Sequence, residues 1–272
     1  MAVIAMTYEV ATRGSEVAAG LAQRLGLDIV HHELVEHDIA VRTGLAESEV
    51  HRYLEGEASL LERWRLDRKG MLRYTAQEIL ELAANGNVLI RGWGATYLLR
   101  TVPHVLCVRI CAPMPFREKV LMERLGILDR AAARREIEHN DAAHNGTMQR
   151  LFGVDWEDPT LYAIVLNTER VSVTTCIDEI ARLCGCAEFQ ETASSHRVLT
   201  DELVLTRVRF ALDRRFGQYG FKADVHDGRV VLTGATTDEH LIVEAIRLLQ
   251  GVEGVTGVAS KIEHVAFTPH EP

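Results

Sequence analysis

The segment Glu9 to Ser15 (EVATRGS) follows a short apolar run, Ala2 to Met6. It precedes Val17, Ala18, Leu21, Ala22 and Leu25, which fall on one face of a helix ending near Gly26. A glycine-bearing turn between strand and helix is suited to anions, because backbone N–H groups and the helix N-terminus together make a positive nest for phosphate oxygens. Gly14 with Ser15 is expected to open that nest, and Arg13 places a cation beside it. A second turn, Gly92-Trp93-Gly94, follows the apolar run Val88 to Ile90. Trp93 either stacks on a base or packs under neighbouring helices, and packing is the favoured reading.

Metal chemistry is not expected. His31, His32 and His37 cluster, and His32 with Glu36 has i,i+4 spacing, yet no third ligand accompanies them. The one close cysteine pair, Cys184-Gly185-Cys186, lacks two further ligands at zinc spacing, so the five cysteines are read as structural or exposed thiols.

The elements that must position the turn follow from periodicity. Short apolar runs at Ala2–Met6, Leu27–Val30, Val88–Ile90, His104–Cys111 and Ala163–Leu166 read as buried strands, and helical stripes alternate with them. That alternation implies a mainly parallel sheet covered on both faces. From Glu33 to about Ala84 the chain reads as largely helical, a cap over a site, and Glu55 to Arg73 as a solvated helix face. Residues 187–197 lose periodicity and are expected to be a linker. Beyond it the order is α-β-β-α-β, with Asp227-Gly228 signalling a two-residue type I′ hairpin.

Composition narrows the classes. The 272 residues are 47% apolar and 25% charged, which excludes disorder and favours one large core with a small one. The net charge of −9 disfavours nucleic acid, and it is shared by the two parts: 8 basic against 11 acidic residues from Val198 onward, 22 against 28 before. No apolar run is long enough to span a membrane and the N-terminus lacks a secretory pattern, so a cytoplasmic protein without membrane contact is expected.

Five blocks in order make the first 185 residues resemble the cytidylate kinase-like family, a branch of the P-loop nucleoside monophosphate kinases. They are Glu9 to Val17, Arg24-Leu25-Gly26 with His32-Glu33-Leu34, Gly92 to Leu99, Ala112 to Arg117 with Glu123-Arg124, and Asp155 to Pro159 leading to Leu166-Asn167-Thr168. The tail resembles a BON domain through Asp227 to Gly234 and Gly254 to Val258. These resemblances imply an α/β fold, a P-loop kinase-like parallel sheet flanked by helices, plus a small α+β BON domain (αββαβ). The boundaries implied are 1–186, a linker at 187–197, BON at 198–266 and a tail at 267–272.

The family's first turn resembles S-R-E-Y-G-S-G-G-x-E, whereas this chain reads Thr7-Tyr8-Glu9-Val10-Ala11-Thr12-Arg13-Gly14-Ser15-Glu16. Ala11 and Arg13 replace two glycines and Tyr8 stands at the arginine, while Gly14 takes the Walker-lysine position, as it does in the family itself. The arginine of the family's G-R-G-A turn is replaced by Trp93, with Arg91 two residues earlier. In the lid helix Asp141 remains while most of its basic neighbours are absent. The resemblance thus implies that Glu9, Thr12, Arg13, Gly14, Ser15 and Glu16 hold the nucleotide and that Arg91, Trp93 and Gly94 hold a substrate. It implies catalytic or phosphate contacts at Arg117, Arg124, Asp141 and Arg150. ATP or another nucleotide, with magnesium, is the ligand a functional site would take.

Three functions stay open: a nucleotide-binding sensor with weak or no phosphoryl transfer whose BON part drives homo-oligomer assembly, an active CMP-type kinase, and a non-catalytic scaffold acting through the BON domain.

Overall fold

The computed structural model describes residues 1–30, 46, 48, 68–92 and 94–265. It divides into two units, Met1–Ser195 and His196–Pro272. The expected strands His104–Cys111 and Ala163–Leu166 form as Val105–Cys111 and Ile164–Asn167. The expected metal-like group His31, His32, Glu36 and His37, and most of the expected helical cap, lie outside the described residues.

The first unit carries five parallel strands in the order β2-β3-β1-β4-β5. They are β1 (Val3–Tyr8), β2 (Asp28–Val30), β3 (Val88–Arg91), β4 (Val105–Cys111) and β5 (Ile164–Asn167). β1 is central and pairs with β3 from Val3↔Val88 to Met6↔Arg91, and with β4 from Val3↔Val105 to Tyr8↔Ile110. Such a strand is covered on both faces and must be apolar throughout, as its VIAM segment is. Ile4 and Met6 join Val17, Leu21, Val108, Ile110, Cys176 and Ile180 in one core. That core lies beneath α1 (Gly14–Leu25) and the last helix of this unit's sheet, Val173–Cys184. Ala5 alternates to the other side, where the helices Arg68–Asn85 and Ala95–Leu99 lie against β3 and β1.

Numbered in chain order, the described helices are α1, α2 (Arg68–Asn85), α3 (Ala95–Leu99), α4 (Met114–Leu125), α5 (Arg130–Phe152), α6 (Val173–Cys184), α7 (Ala193–Phe216) and α8 (Glu239–Gln250). α5 starts at Asp129, whose side chain accepts from the Ala131 and Ala132 amides. α7 begins inside the segment expected to be a linker. Its start is a reciprocal cap: Thr192 Oγ1 accepts from Ser195 N at 3.0 Å, and Ser195 Oγ accepts from Thr192 N at 2.9 Å. Two small hydroxyl side chains in a polar run read as loop, yet here they satisfy the amides that a helix leaves open.

The second unit has a three-stranded sheet, order β6-β7-β8, with β6 (Lys222–His226) antiparallel to β7 (Arg229–Thr236) and β8 (Gly257–His264) parallel to β7. Val204, Val208, Leu212 and Phe216 of α7 and Ala245 and Leu249 of α8 bury Ala223, Val230 and Leu232. The β6–β7 turn has Asp227 at φ 48° and Gly228 at φ 71°, both left-handed as a type I′ turn requires.

No helix among the described residues is long and apolar enough to cross a membrane.

Candidate functional site

The order β2-β3-β1-β4-β5 makes the carboxyl end of β1 the point from which connections leave in opposite directions, the place where open α/β sheets bind ligands. There Glu9 N donates to Ile110 O at 3.3 Å as the ladder ends, and the chain turns through Val10 to Arg13 into α1. Thr12, fully buried, folds back so that its Oγ1 donates to Glu9 O at 2.7 Å.

Ala11 (φ 61°) and Arg13 (φ 60°) both take left-handed backbone. That conformation costs an L-residue roughly 1–2 kcal/mol, and glycine takes it freely. The turn therefore keeps the shape of a glycine loop without its glycines. The Gly14 and Ser15 N–H groups in the first turn of α1 have no carbonyl partner among the described residues. Gly14 is required for a different reason: a Cβ there would lie 2.3 Å from Tyr8 Cγ, because the Tyr8 ring rests against the start of the helix.

Over this turn lies a cleft of about 340 Å³ lined by Tyr8 to Glu16 together with Arg91, Val120 and Arg124. The Arg91 guanidinium sits 4.9 Å from the Tyr8 ring centroid, and Arg13 lies 6.0 Å from that of Phe116. Arg13, Arg91 and Arg124 have no carboxylate partner among the described residues. Burial pushes the Tyr8 phenol above its usual range, and Arg91 and Arg124 pull it back. Ser15 and Glu16 are the cleft's exposed oxygen donors, of the kind a phosphate-held magnesium takes from protein. Among the described residues no three His, Cys, Asp or Glu side chains gather to hold a metal by themselves.

Beneath the cleft runs a chain of alternating charges. Glu9 pairs with Arg109 at 2.6 Å and with Arg117 at 3.4 Å, and accepts from Ala112 N at 3.2 Å. Burial raises the Glu9 carboxyl, opposed by Arg117, Arg109 and the Ala112 amide. Arg117 in turn grips Asp141 of α5 with both terminal nitrogens, at 2.8 and 2.6 Å. Arg109 also donates to Trp156 O at 2.8 Å and lies 4.3 Å from its ring centroid, and the His144 ring lies 4.0 Å from that of Trp156.

Of the residues singled out from sequence, Glu9, Thr12, Arg13, Gly14, Ser15, Glu16, Arg91 and Arg124 line one cleft. Arg117 and Asp141 stand behind it, bound to one another. Arg150 donates to Thr147 Oγ1 at 3.2 Å near the end of α5 and is not in the cleft lining. Gly94, at φ 73°, caps α3 and meets the Phe152 ring, and Trp93 lies outside the described residues. Sequence reasoning passed over Arg109, although a lone arginine inside the apolar strand VLCVRIC signals a buried partner.

A five-stranded parallel sheet with a left-handed turn at its switch point, faced by guanidinium groups, gives the chain a P-loop kinase-like fold. The chain belongs to the cytidylate kinase-like family, whose profile matches residues 3–170, and residues 200–266 match the BON domain. It is 24% identical over 177 residues to a cytidylate kinase of Pyrobaculum aerophilum, covering 65% of this chain and 89% of the relative. A cytidylate kinase of Pyrobaculum islandicum is 23% identical over 180 residues, with the same coverage of 65% and 89%. The crystal structure of an uncharacterized protein from Eubacterium ventriosum shares the fold, with a TM-score of 0.53, 20% identity, and coverage of 68% of this chain and 98% of that one.

Proposed function

We propose that this chain binds a nucleotide by its phosphates in the Tyr8–Glu16 cleft and transfers phosphoryl groups weakly or not at all, serving as a sensor or regulatory protein. The observation that carries this reading is the turn itself. It keeps left-handed backbone at Ala11 and Arg13 and faces three guanidinium groups that no carboxylate neutralises among the described residues. Left uncompensated, such charges favour a polyanion. The tools for transfer are thinner. Tyr8 and Trp93 stand where the family has arginines, and Asp141 is engaged by Arg117 rather than surrounded by further cations. Losing cationic clamps costs phosphoryl transfer several powers of ten in rate.

The test is a titration of the full chain with ATP, ADP, AMP, CTP, CDP and CMP by thermal shift and calorimetry, since a ligand selective for the native state raises its melting temperature. Arg91→Gln and Arg124→Gln are each expected to weaken triphosphate binding by about tenfold, the loss of one charge-assisted contact. No shift with any nucleotide would discard the reading and leave the scaffold function. A coupled ATP and CMP assay separates binding from catalysis. The name of the Pyrobaculum relatives favours the active CMP-kinase alternative, which turnover clearly above buffer would establish.

We assign the BON part the role of assembly within this reading, in a cytoplasmic homo-oligomer. Sedimentation of the full chain over a concentration series, with and without nucleotide, tests that assignment.

A further inference from the structure

Two residues of the phosphate turn, Ala11 and Arg13, hold left-handed backbone without being glycine. Besides the Thr12 bonds to Glu9 O within the turn, groups outside it reach two of its carbonyls. The φ angle of a residue is the rotation between its own Cα and the peptide plane before it, so fixing the preceding carbonyl fixes the plane from which that rotation is measured. Before Ala11 that carbonyl is Val10 O, and it accepts from Arg117 Nε at 2.8 Å. Before Arg13 it is Thr12 O, which accepts from Thr168 Oγ1 at 2.6 Å. Both pins come from distant elements, Arg117 from α4 and Thr168 from just after β5. Both are buried, at 4% and 7% exposure, and thus protected from competition by water.

Arg117 is itself immobilised. Its other nitrogens form a two-pronged pair with Asp141 at 2.8 and 2.6 Å, and one approaches Glu9 at 3.4 Å. A guanidinium tied at three points orients its Nε–H firmly.

We propose that Arg117 and Thr168 are positioning residues that replace the missing glycines: each pins the carbonyl preceding a left-handed non-glycine residue and so keeps the turn in its anion-receiving shape. Arg117 acts through the loop backbone, not by touching phosphate. The inference rests on the cleft being the nucleotide site, but its geometry can be tested without ligand.

The experiment is a double-mutant cycle on the full chain, crossing Arg117→Lys with Ala11→Gly. Lysine keeps the charge and loses the fork and the Nε–H. The first readout is ATP affinity by calorimetry. Without its pin the turn relaxes, and apparent affinity falls by the fraction of molecules that keep the receptive shape. Glycine restores that fraction. Ala11→Gly should therefore improve ATP binding at least about fivefold more in the Arg117→Lys background than in the parent, the factor that left-handed strain represents. If Arg117 instead contacts phosphate directly, the two effects are independent, and an additive cycle overturns the proposal.

The second readout is the urea midpoint without ligand. Here Ala11→Gly should raise the midpoint more in the parent, where strain is held in, than in Arg117→Lys, where it has relaxed. Equal gains in both backgrounds overturn the proposal even if ATP binds nowhere. Failure of parental ATP binding alongside a coupled urea cycle rejects the nucleotide reading and leaves the positioning claim standing. Should Arg117→Lys not fold, the urea cycle of Thr168→Val with Arg13→Gly decides the same question at the second pin, coupling supporting the proposal and additivity overturning it.

Discussion

Arg109 offers the sharpest stability test, because its pair with Glu9 is both enclosed and short. The two side chains are 5% and 10% exposed and meet at 2.6 Å. Arg109→Met keeps the length and apolar contacts of the stem but takes from the Glu9 carboxylate its shortest ion-pair contact, while the Trp156 carbonyl keeps the Tyr162 hydroxyl at 2.5 Å. Removing one partner of a buried pair costs about 3–5 kcal/mol, mostly as the penalty on the charge left behind. Arg117 remains 3.4 Å from Glu9 and shields it partly, which places the expected loss near the lower end, about 3 kcal/mol. With a urea slope of roughly 2 kcal/mol per molar, the midpoint should fall by about 1.5 M. Tryptophan fluorescence follows the right transition, since Trp64, Trp93 and Trp156 all belong to Met1–Ser195. Combining Arg109→Met with Glu9→Gln removes the stranded charge and should cost clearly less than the two single changes added together. A single-variant loss below about 1 kcal/mol, or strict additivity in the double variant, would refute the argument from burial.

Other consequences are simpler to measure. Gly94→Ala combines a left-handed position, φ 73°, with a Cβ that would lie 2.3 Å from Phe152 Cε2; about 2–4 kcal/mol should be lost in the same fluorescence-detected unfolding. In the second unit, the Asp201 carboxylate accepts from Asp227 N at 2.8 Å and Gly228 N at 2.9 Å. Asp201→Ala should cost about 1–2 kcal/mol and speed hydrogen exchange at those two amides. Burial pushes the Cys107 thiol up to about 12 and that of Cys184 to about 11. Because the shift favours the neutral thiol, both should resist iodoacetamide at pH 8 and react only once urea exposes them, as peptide mass spectrometry would report.

The local grammar of the chain was open to reading from the sequence. Apolar runs such as Val3–Met6 and Val105–Val108 read as strands buried on two faces, and the stripe of Ile177, Ile180 and Cys184 as one side of a helix. Asp227-Gly228 announces its hairpin because few residue pairs take two left-handed angles in succession. These features depend on neighbours a few positions apart, which periodicity and turn chemistry record directly.

Tertiary structure decided the rest. By residue type Ala11 and Arg13 argue against a glycine-like turn, and the carbonyl pins from Arg117 and Thr168 that we propose hold it come from residues far along the chain. Whether Arg117 faces ligand or backbone depends on Asp141 and Glu9, which reach it from α5 and from the end of β1. The Arg109–Glu9 pair joins positions 100 residues apart, and the Thr168–Thr12 bond spans 156. A left-handed angle at a non-glycine residue and the partner of a buried charge are both set by groups that meet only after the sheet has assembled. No pattern along the chain encodes the distance between them.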